Sequence, residues 1–254
     1  MKFLLALALI SSCAAQTSKP AVHVLAFYTE TVEQDHVDFA HQAIQFYTAA
    51  AQRDHFEFTA TTNWDKLNAT DLAQYQVMLW LNDQPKTPQQ RASFEQYMEH
   101  GGGWLGFHVS AYNDRDTQWP WFVRFLGGGV FYGNNWPPLP AKLKVDDPSH
   151  PIVAGLPTSF LSPSNEWYIW KPSPRLNTDV KVLLTLEPSN FPIGLKDTIE
   201  SGDVPVVWTN TNYRMLYINM GHGDKIFTSD IQNRLFEQAL LWLSLDTSSR
   251  RERQ

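Results

Sequence analysis

Residues 101–112 read GGGWLGFHVSAY. The three glycines stop the helical pattern of Pro88 to His100. Trp104 to Phe107 then forms a short apolar strand, and His108 stands where that strand hands over to a loop. The same alternation repeats toward the N-terminus. His23 to Tyr28 reads as a strand, and Val37 to Ala51 carries apolar residues at three- and four-residue steps, as a helix does. Phe56 to Thr62 is a second strand, Asn68 caps a short helix, and Gln76 to Leu81 (QVMLWL) is a third strand. The nearly continuous apolar character of QVMLWL suits a strand covered on both faces. Strands alternating with helices imply right-handed βαβ units and a parallel sheet, in which ligands bind beyond the C-terminal strand ends. The loops after Tyr28, Leu81 and Phe107 are expected on one rim, with His108 among them.

The second half is less regular. Trp119 to Leu126 reads as a short helix closed by Gly127 to Gly129. Strands are expected at Ala141 to Val145, Trp167 to Trp170, Lys181 to Leu186, Pro205 to Thr209 and Met215 to Met220, some of them antiparallel. Ile231 to Leu245 is an amphipathic helix with Leu235, Ala239, Leu240 and Trp242 inward. One domain over residues 21–246, with an elaborated and partly antiparallel second half, is the simplest account, followed by a polar tail at 247–254.

The first residues are a different matter. Phe3 to Ile10 is too short an apolar run to span a bilayer as a helix and matches a secretory signal over residues 1–12. Ile10-Ser11-Ser12-Cys13 resembles a bacterial lipobox, and Cys13 is the single cysteine of the chain. Lipidation at Cys13, a linker at 13–20, and an exported lipoprotein facing the periplasm or held at the outer membrane are the expectation. A plain signal peptide with an incidental cysteine is the alternative. No cysteine remains for a disulfide framework. The net charge of −6 and the lack of a basic stripe before SSRRERQ argue against nucleic acid. The membrane contact expected is the N-terminal anchor alone. Tryptophan is abundant, at 10 residues. Trp119, Trp121 and Trp136 lie among Pro, Gly and Asn, as aromatic rings that stack on sugars often do.

Several stretches in order, GGGWLGFH, WPWFVRFLGGG, VDDPSHPIVAGLP, NEWY and PVVWTNTNYRMLYINMGHG, with a closing helix ending in ALLWL, resemble the ThuA-like, or trehalose-utilisation, family. The resemblance runs from about Val22 to Leu245. It implies an α/β, flavodoxin-like three-layer sandwich with a mainly parallel central sheet, related to class I glutamine amidotransferases. In those enzymes a Gly-x-Cys turn carries the nucleophile; here the matching stretch is Gly106-Phe107-His108. An imidazole does not readily replace a thiolate in glutamine hydrolysis, so that activity is not expected. The resemblance also implies a sugar ligand, a glycoside or 3-keto-glycoside, and a sugar oxidoreductase in the same pathway. It does not give the reaction.

His108, His222 (between Gly221 and Gly223) and Glu166 (among large rings) are the candidate catalytic groups. Against each stands a structural reading: a histidine bonding a backbone carbonyl, a histidine stabilising a turn, a glutamate capping a strand. A carboxylate among apolar rings has a raised pKa and can serve as acid or base near neutrality. The candidate substrate contacts are His36, Trp119, Asn134, Asn135, Trp136, His150, Trp167, Tyr168 and Arg214. For His150 and the two asparagines a structural role is equally open, and for Arg214, just before a strand, it is the commoner one. The cofactor is unknown; a divalent metal, if one binds, would use His108, Glu166 and His222. Asn134-Asn135 and Asn165 stand where related sequences often carry a histidine and an acidic residue, which removes possible ligands. The competing function is a non-catalytic carbohydrate-binding or auxiliary lipoprotein.

Overall fold

A computed structural model describes residues 22–113, 117–190 and 203–245. Cys13, the linker and the C-terminal tail lie outside the described residues. Five parallel strands form one side of a nine-stranded sheet: β1 (His23–Phe27), β2 (Glu57–Thr61), β3 (Val77–Trp80), β4 (Gly103–Phe107) and β11 (Arg214–Ile218), in the order β2-β1-β3-β4-β11 from the edge inward. Four antiparallel strands extend it beyond β11: β10 (Pro205–Asn210), β9 (Val180–Leu186), β6 (Leu139–Val145) and β7 (Ser159–Asn165). A separate ribbon pairs β5 (Val130–Asn134) with β8 (Tyr168–Lys171). The fold is the flavodoxin-like α/β sandwich expected.

Helices cover both faces. On one lie α1 (Gln34–Asp54) and α5 (Asp230–Ser244), whose Phe39, Ala43, Tyr47, Phe236, Ala239 and Leu240 share a core with Val77, Leu79 and Leu105. On the other lie α2 (Ala69–Leu72), α3 (Pro88–Glu99) and α4 (Pro120–Phe125), packed through Leu72, Phe94, Met98, Phe122 and Phe125 on Met78, Trp80 and Trp104. Alternate residues of β3 thus enter opposite cores, which is why VMLW has no polar face. Thr87 starts α3 with a capping box to Gln90. Gly106 makes room for the Trp104 indole: a Cβ there would lie 2.0 Å from Trp104 Cζ2.

Two strands went unread in the sequence. Residues 159–165 contain Pro163 and three serines, a poor strand pattern, yet β7 occupies the sheet edge, where a missing amide donor costs no ladder bond. Residues 130–134 (VFYGN), with NWPP following, show turn residues and no alternation, yet β5 pairs with β8 in a two-stranded ribbon.

Candidate functional site

The rim at the C-terminal ends of the parallel strands collects the chemistry. His36 lies in the first turn of α1, after β1. His108 follows β4, and His222 follows β11. Glu166 stands between β7 and β8 and reaches the same point. Sequence position alone could not bring Glu166 there, because it comes from the antiparallel half of the chain.

His108 is fully buried and holds φ at +44°, a left-handed conformation that costs a non-glycine residue about 1–2 kcal/mol. The chain turns there from β4 directly into a 3-10 turn at His108–Ala111, so the imidazole is pushed out beyond the strand end. Gly221 lets the next strand's loop come close: a Cβ on it would lie 2.5 Å from His108 Cβ. His108 Nδ1 bonds the Asn219 carbonyl at 2.8 Å. A carbonyl only accepts, so Nδ1 carries the proton and, in the neutral ring, Nε2 presents a lone pair. That Nε2 faces Glu166 Oε2 at 3.5 Å. Tyr168 packs on the ring, with centroids 4.0 Å apart.

The other two histidines are buried beside it. Ring centroids are 5.2 Å apart for His36 and His108, 5.0 Å for His36 and His222, and 5.6 Å for His108 and His222. His222 Nε2 lies 3.9 Å from Glu166 Oε2 and 3.7 Å from Glu33 Oε1, while its Nδ1 lies 3.6 Å from Asp35 Oδ2. His36 Nδ1 is 3.8 Å from Glu33 Oε2. The Nε2 atoms of all three histidines are buried without a hydrogen-bond partner. Glu33 and Asp35 are half-exposed and line the mouth.

Burial sets the protonation states. His36 is lowered to about 3, by burial first and then by His108 and His222. Burial, with His222 beside it, holds His108 well below the usual imidazole range against the opposing pull of its Asn219 bond. These two imidazoles are therefore neutral at pH 7, and their approaches to carboxylates are not salt bridges. Glu166 is raised, by burial first, with His222 opposing and Asp35 adding to the rise.

Around this centre stand asparagines whose bracing role is visible only in the folded chain. Asn165 Oδ1 accepts the backbone N–H groups of Gly221 and His222, each at 3.1 Å, and its Nδ2 donates to the Glu166 carbonyl. It fixes the His222 loop to the Glu166 loop. Asn219 Oδ1 accepts the Tyr168 N–H, and Asn82 holds the loop after β1 through Thr29 and the His36 carbonyl. A buried asparagine at a strand end was the available signal, because a buried amide needs several partners at once.

Of the expected contacts, His36, Tyr168 and Asn134 gather at the rim, and Asn134 Nδ2 donates to Glu166 Oε1. Asn135 is buried and braces the loop, accepting the Trp167 N–H at 2.6 Å and donating to the Pro137 carbonyl. Trp136 beside it is 65% exposed. Four expectations are corrected. Trp119 is buried against Trp80 and Phe122, with its indole N–H on Glu95. Trp167 is wholly buried and donates to the Leu139 carbonyl. His150 accepts the Ile152 N–H at the start of a 3-10 turn and packs on Trp242 of α5. Arg214 opens β11 at the opposite end of the sheet, where it binds the carbonyls of Gly101 and Leu243. Trp121 lies in α4, the helix expected there, and stacks on Phe125 rather than facing a ligand. A cavity of about 420 Å³ lies near Arg214, between α2 and α3, away from the three rim histidines.

The family described as "ThuA: Trehalose utilisation" matches residues 23–243. A ThuA-like protein of Bacteroides uniformis is 50% identical, with a TM-score of 0.86, covering 92% of this chain and 97% of its own. A ThuA-like protein of Parabacteroides merdae is 18% identical, with a TM-score of 0.64 and coverage of 89% and 90%. A GMP synthase protein of Thermoplasma acidophilum, 12% identical with a TM-score of 0.56 and coverage of 92% and 98%, shares the fold. No curated protein matches the chain.

Proposed function

The chain belongs to the ThuA, or trehalose-utilisation, family, and from that premise we propose that its rim acts on a glycoside or 3-keto-glycoside by proton transfer between Glu166 and the histidines. The observation that carries the reading is the convergence of Glu166 with three buried imidazoles whose Nε2 atoms have no protein partner. Buried polar atoms left unpaired at a strand-end rim are poised for a ligand. Beside a sugar ketone, Glu166 takes the α-proton and the carbon–hydrogen electron pair moves to the enolate. Collapse of the enolate then either expels the neighbouring glycosidic oxygen, which takes the proton now held by Glu166 directly or relayed through a histidine, or recovers that proton at carbon. Burial raises the basicity of Glu166, which suits that step. Trp136 supplies an exposed face for the sugar ring, and Asn134 holds the carboxylate in place. No thiolate stands in the position of the amidotransferase nucleophile, so glutamine hydrolysis by that route forms no part of the proposal. The proposal includes export and a lipid anchor at Cys13; C13A should abolish incorporation of a fatty-acid label.

The test is proton NMR of the purified chain with trehalose, simple glucosides and their 3-keto forms. Turnover that falls at least about a hundredfold in E166Q and H108A supports the proposal, because acid–base groups contribute on that scale. Saturation transfer to sugar protons without turnover would replace it with a carbohydrate-binding module. The absence of both signals would overturn the sugar reading altogether.

A further inference from the structure

We infer that His36, His108, His222 and Glu166 form a binding site for one divalent transition-metal ion, of the zinc, cobalt or nickel class. The first argument is electrostatic. The His108 tautomer fixed by Asn219 aims an Nε2 lone pair at Glu166 Oε2 across 3.5 Å. Two acceptors at that distance repel unless a positive charge sits between them. One proton could bridge that pair, but it could not also serve the buried and unpartnered Nε2 atoms of His36 and His222. A cation among all four donors satisfies them together.

The second argument is the outer environment. A metal-bound imidazole ordinarily directs its other nitrogen to a carbonyl or carboxylate, which fixes the ring and raises its basicity. All three histidines have such a neighbour: the Asn219 carbonyl for His108, Asp35 for His222 and Glu33 for His36. The remaining oxygen of Glu166 is held by Asn134. Among the described residues, no Lys or Arg pairs with Glu33, Asp35 or Glu166, whose close approaches are to histidines alone, so the pocket is negative and favours a cation.

Geometry and donor type then select the class. The donor atoms of His36, His108 and Glu166 all lie within 4.8 Å of one another, and His222 Nε2 is 3.9 Å from the same carboxylate oxygen. Bonds of about 2.0–2.1 Å to a tetrahedral ion place donors roughly 3.3 Å apart, so side-chain adjustments of a few tenths of an ångström for the closer pairs and up to roughly 1.5 Å within the triad, with His222 moving in beside it, would close the shell. Three nitrogens and one oxygen suit zinc, cobalt or nickel, whereas calcium and magnesium take oxygen shells. Glu33, which forms a second triad with His36 and His222, guards the mouth and is half-exposed. Four protein ligands fill a tetrahedral shell, so within the proposed function such an ion would polarise a sugar carbonyl or hydroxyl by accepting it as a fifth ligand.

The experiment titrates chelator-treated protein with Co2+, read by its visible absorption, with elemental analysis for stoichiometry. One ion per chain is expected, displaced by Zn2+. E166Q and H222N should each weaken binding by roughly a hundredfold or more, given the binding energy shared among four ligands. H100N and H150N, outside the cluster, should bind as wild type does. E166Q is isosteric, and the urea midpoint of each metal-free variant separates lost ligation from lost folding; a midpoint that rises with Zn2+ in wild type but not in E166Q supports the site independently. Absence of uptake, or uptake unchanged in both variants, would overturn the inference. Binding of Co2+ with no sugar turnover would sustain it and overturn the sugar reading; turnover by protein that takes up no ion would do the reverse.

Discussion

Gly221→Ala is the substitution that most directly tests how the rim is assembled. A Cβ at this position would lie 2.5 Å from His108 Cβ, 3.4 Å from His108 Cγ and 3.5 Å from His108 N. Carbon atoms normally pack at about 3.5–4.0 Å, so the overlap is at least about 1 Å. His108 cannot swing away, since it is fully buried between Tyr168 and the other two histidines. The loop after β11 must retreat instead. It would lengthen the 2.8 Å bond from His108 Nδ1 to Asn219 and the two 3.1 Å bonds to Asn165 Oδ1. Overpacking costs about 1–3 kcal/mol and one weakened buried hydrogen bond about 1 more, for a total of about 2–4 kcal/mol. Urea unfolding measures this, with two controls. Gly133→Ala, with open space at its Cβ, should change stability by under about 0.5 kcal/mol. Gly223→Ala has the space but φ of +90°, and should lose about 1–2 kcal/mol from backbone strain alone. If Gly221→Ala proved no less stable than Gly133→Ala, the close approach of the two loops would be refuted, and the site built on it with them.

Other substitutions separate the rim from the scaffold. In metal-free protein the unfolded chain protonates His36 near pH 6.5, whereas the folded chain resists until about 3, so this penalty is absent above 6.5 and grows as pH falls. Between pH 8 and pH 5 wild type should lose about 2 kcal/mol more stability than H36Q, and equal pH profiles would refute the buried neutral state. Asn165→Ala strands two buried N–H groups and should cost about 2–4 kcal/mol in urea unfolding, together with binding at the rim. Trp136→Ala should leave the urea midpoint within about 0.5 kcal/mol of wild type and weaken sugar binding about tenfold by titration calorimetry. Arg214→Ala, at the far end of the sheet, should lower stability while leaving turnover unchanged.

Much of this architecture is written locally. The 3.6-residue spacing of α1 and α5, the apolar run of β3 and the glycines before β4 follow from rules of burial and backbone freedom that act within a few residues. They were enough to predict a parallel sheet, and with it a rim carrying His36 and His108, because strand direction places every C-terminal end on one side; His222 joins them because β11, in the less regular second half, runs parallel to β4. What the sequence could not decide is which polar and aromatic residues face that rim. Trp119 and Trp136 both sit beside prolines, yet one fills a core and the other faces solvent. Helix α4 presses Trp119 against Trp80, while the loop after β5 has no layer over it. His150 and Arg214 were plausible ligand contacts until the register of β4 and β11 and the packing of α5 put them elsewhere. Glu166 depended most on the tertiary structure. It is brought to histidines 58 and 56 residues away in the chain (166 − 108; 222 − 166) by strands whose pairing no local pattern encodes. A residue's type and spacing determine the element it joins. Its partners are determined by long-range contacts that form only when the layers close.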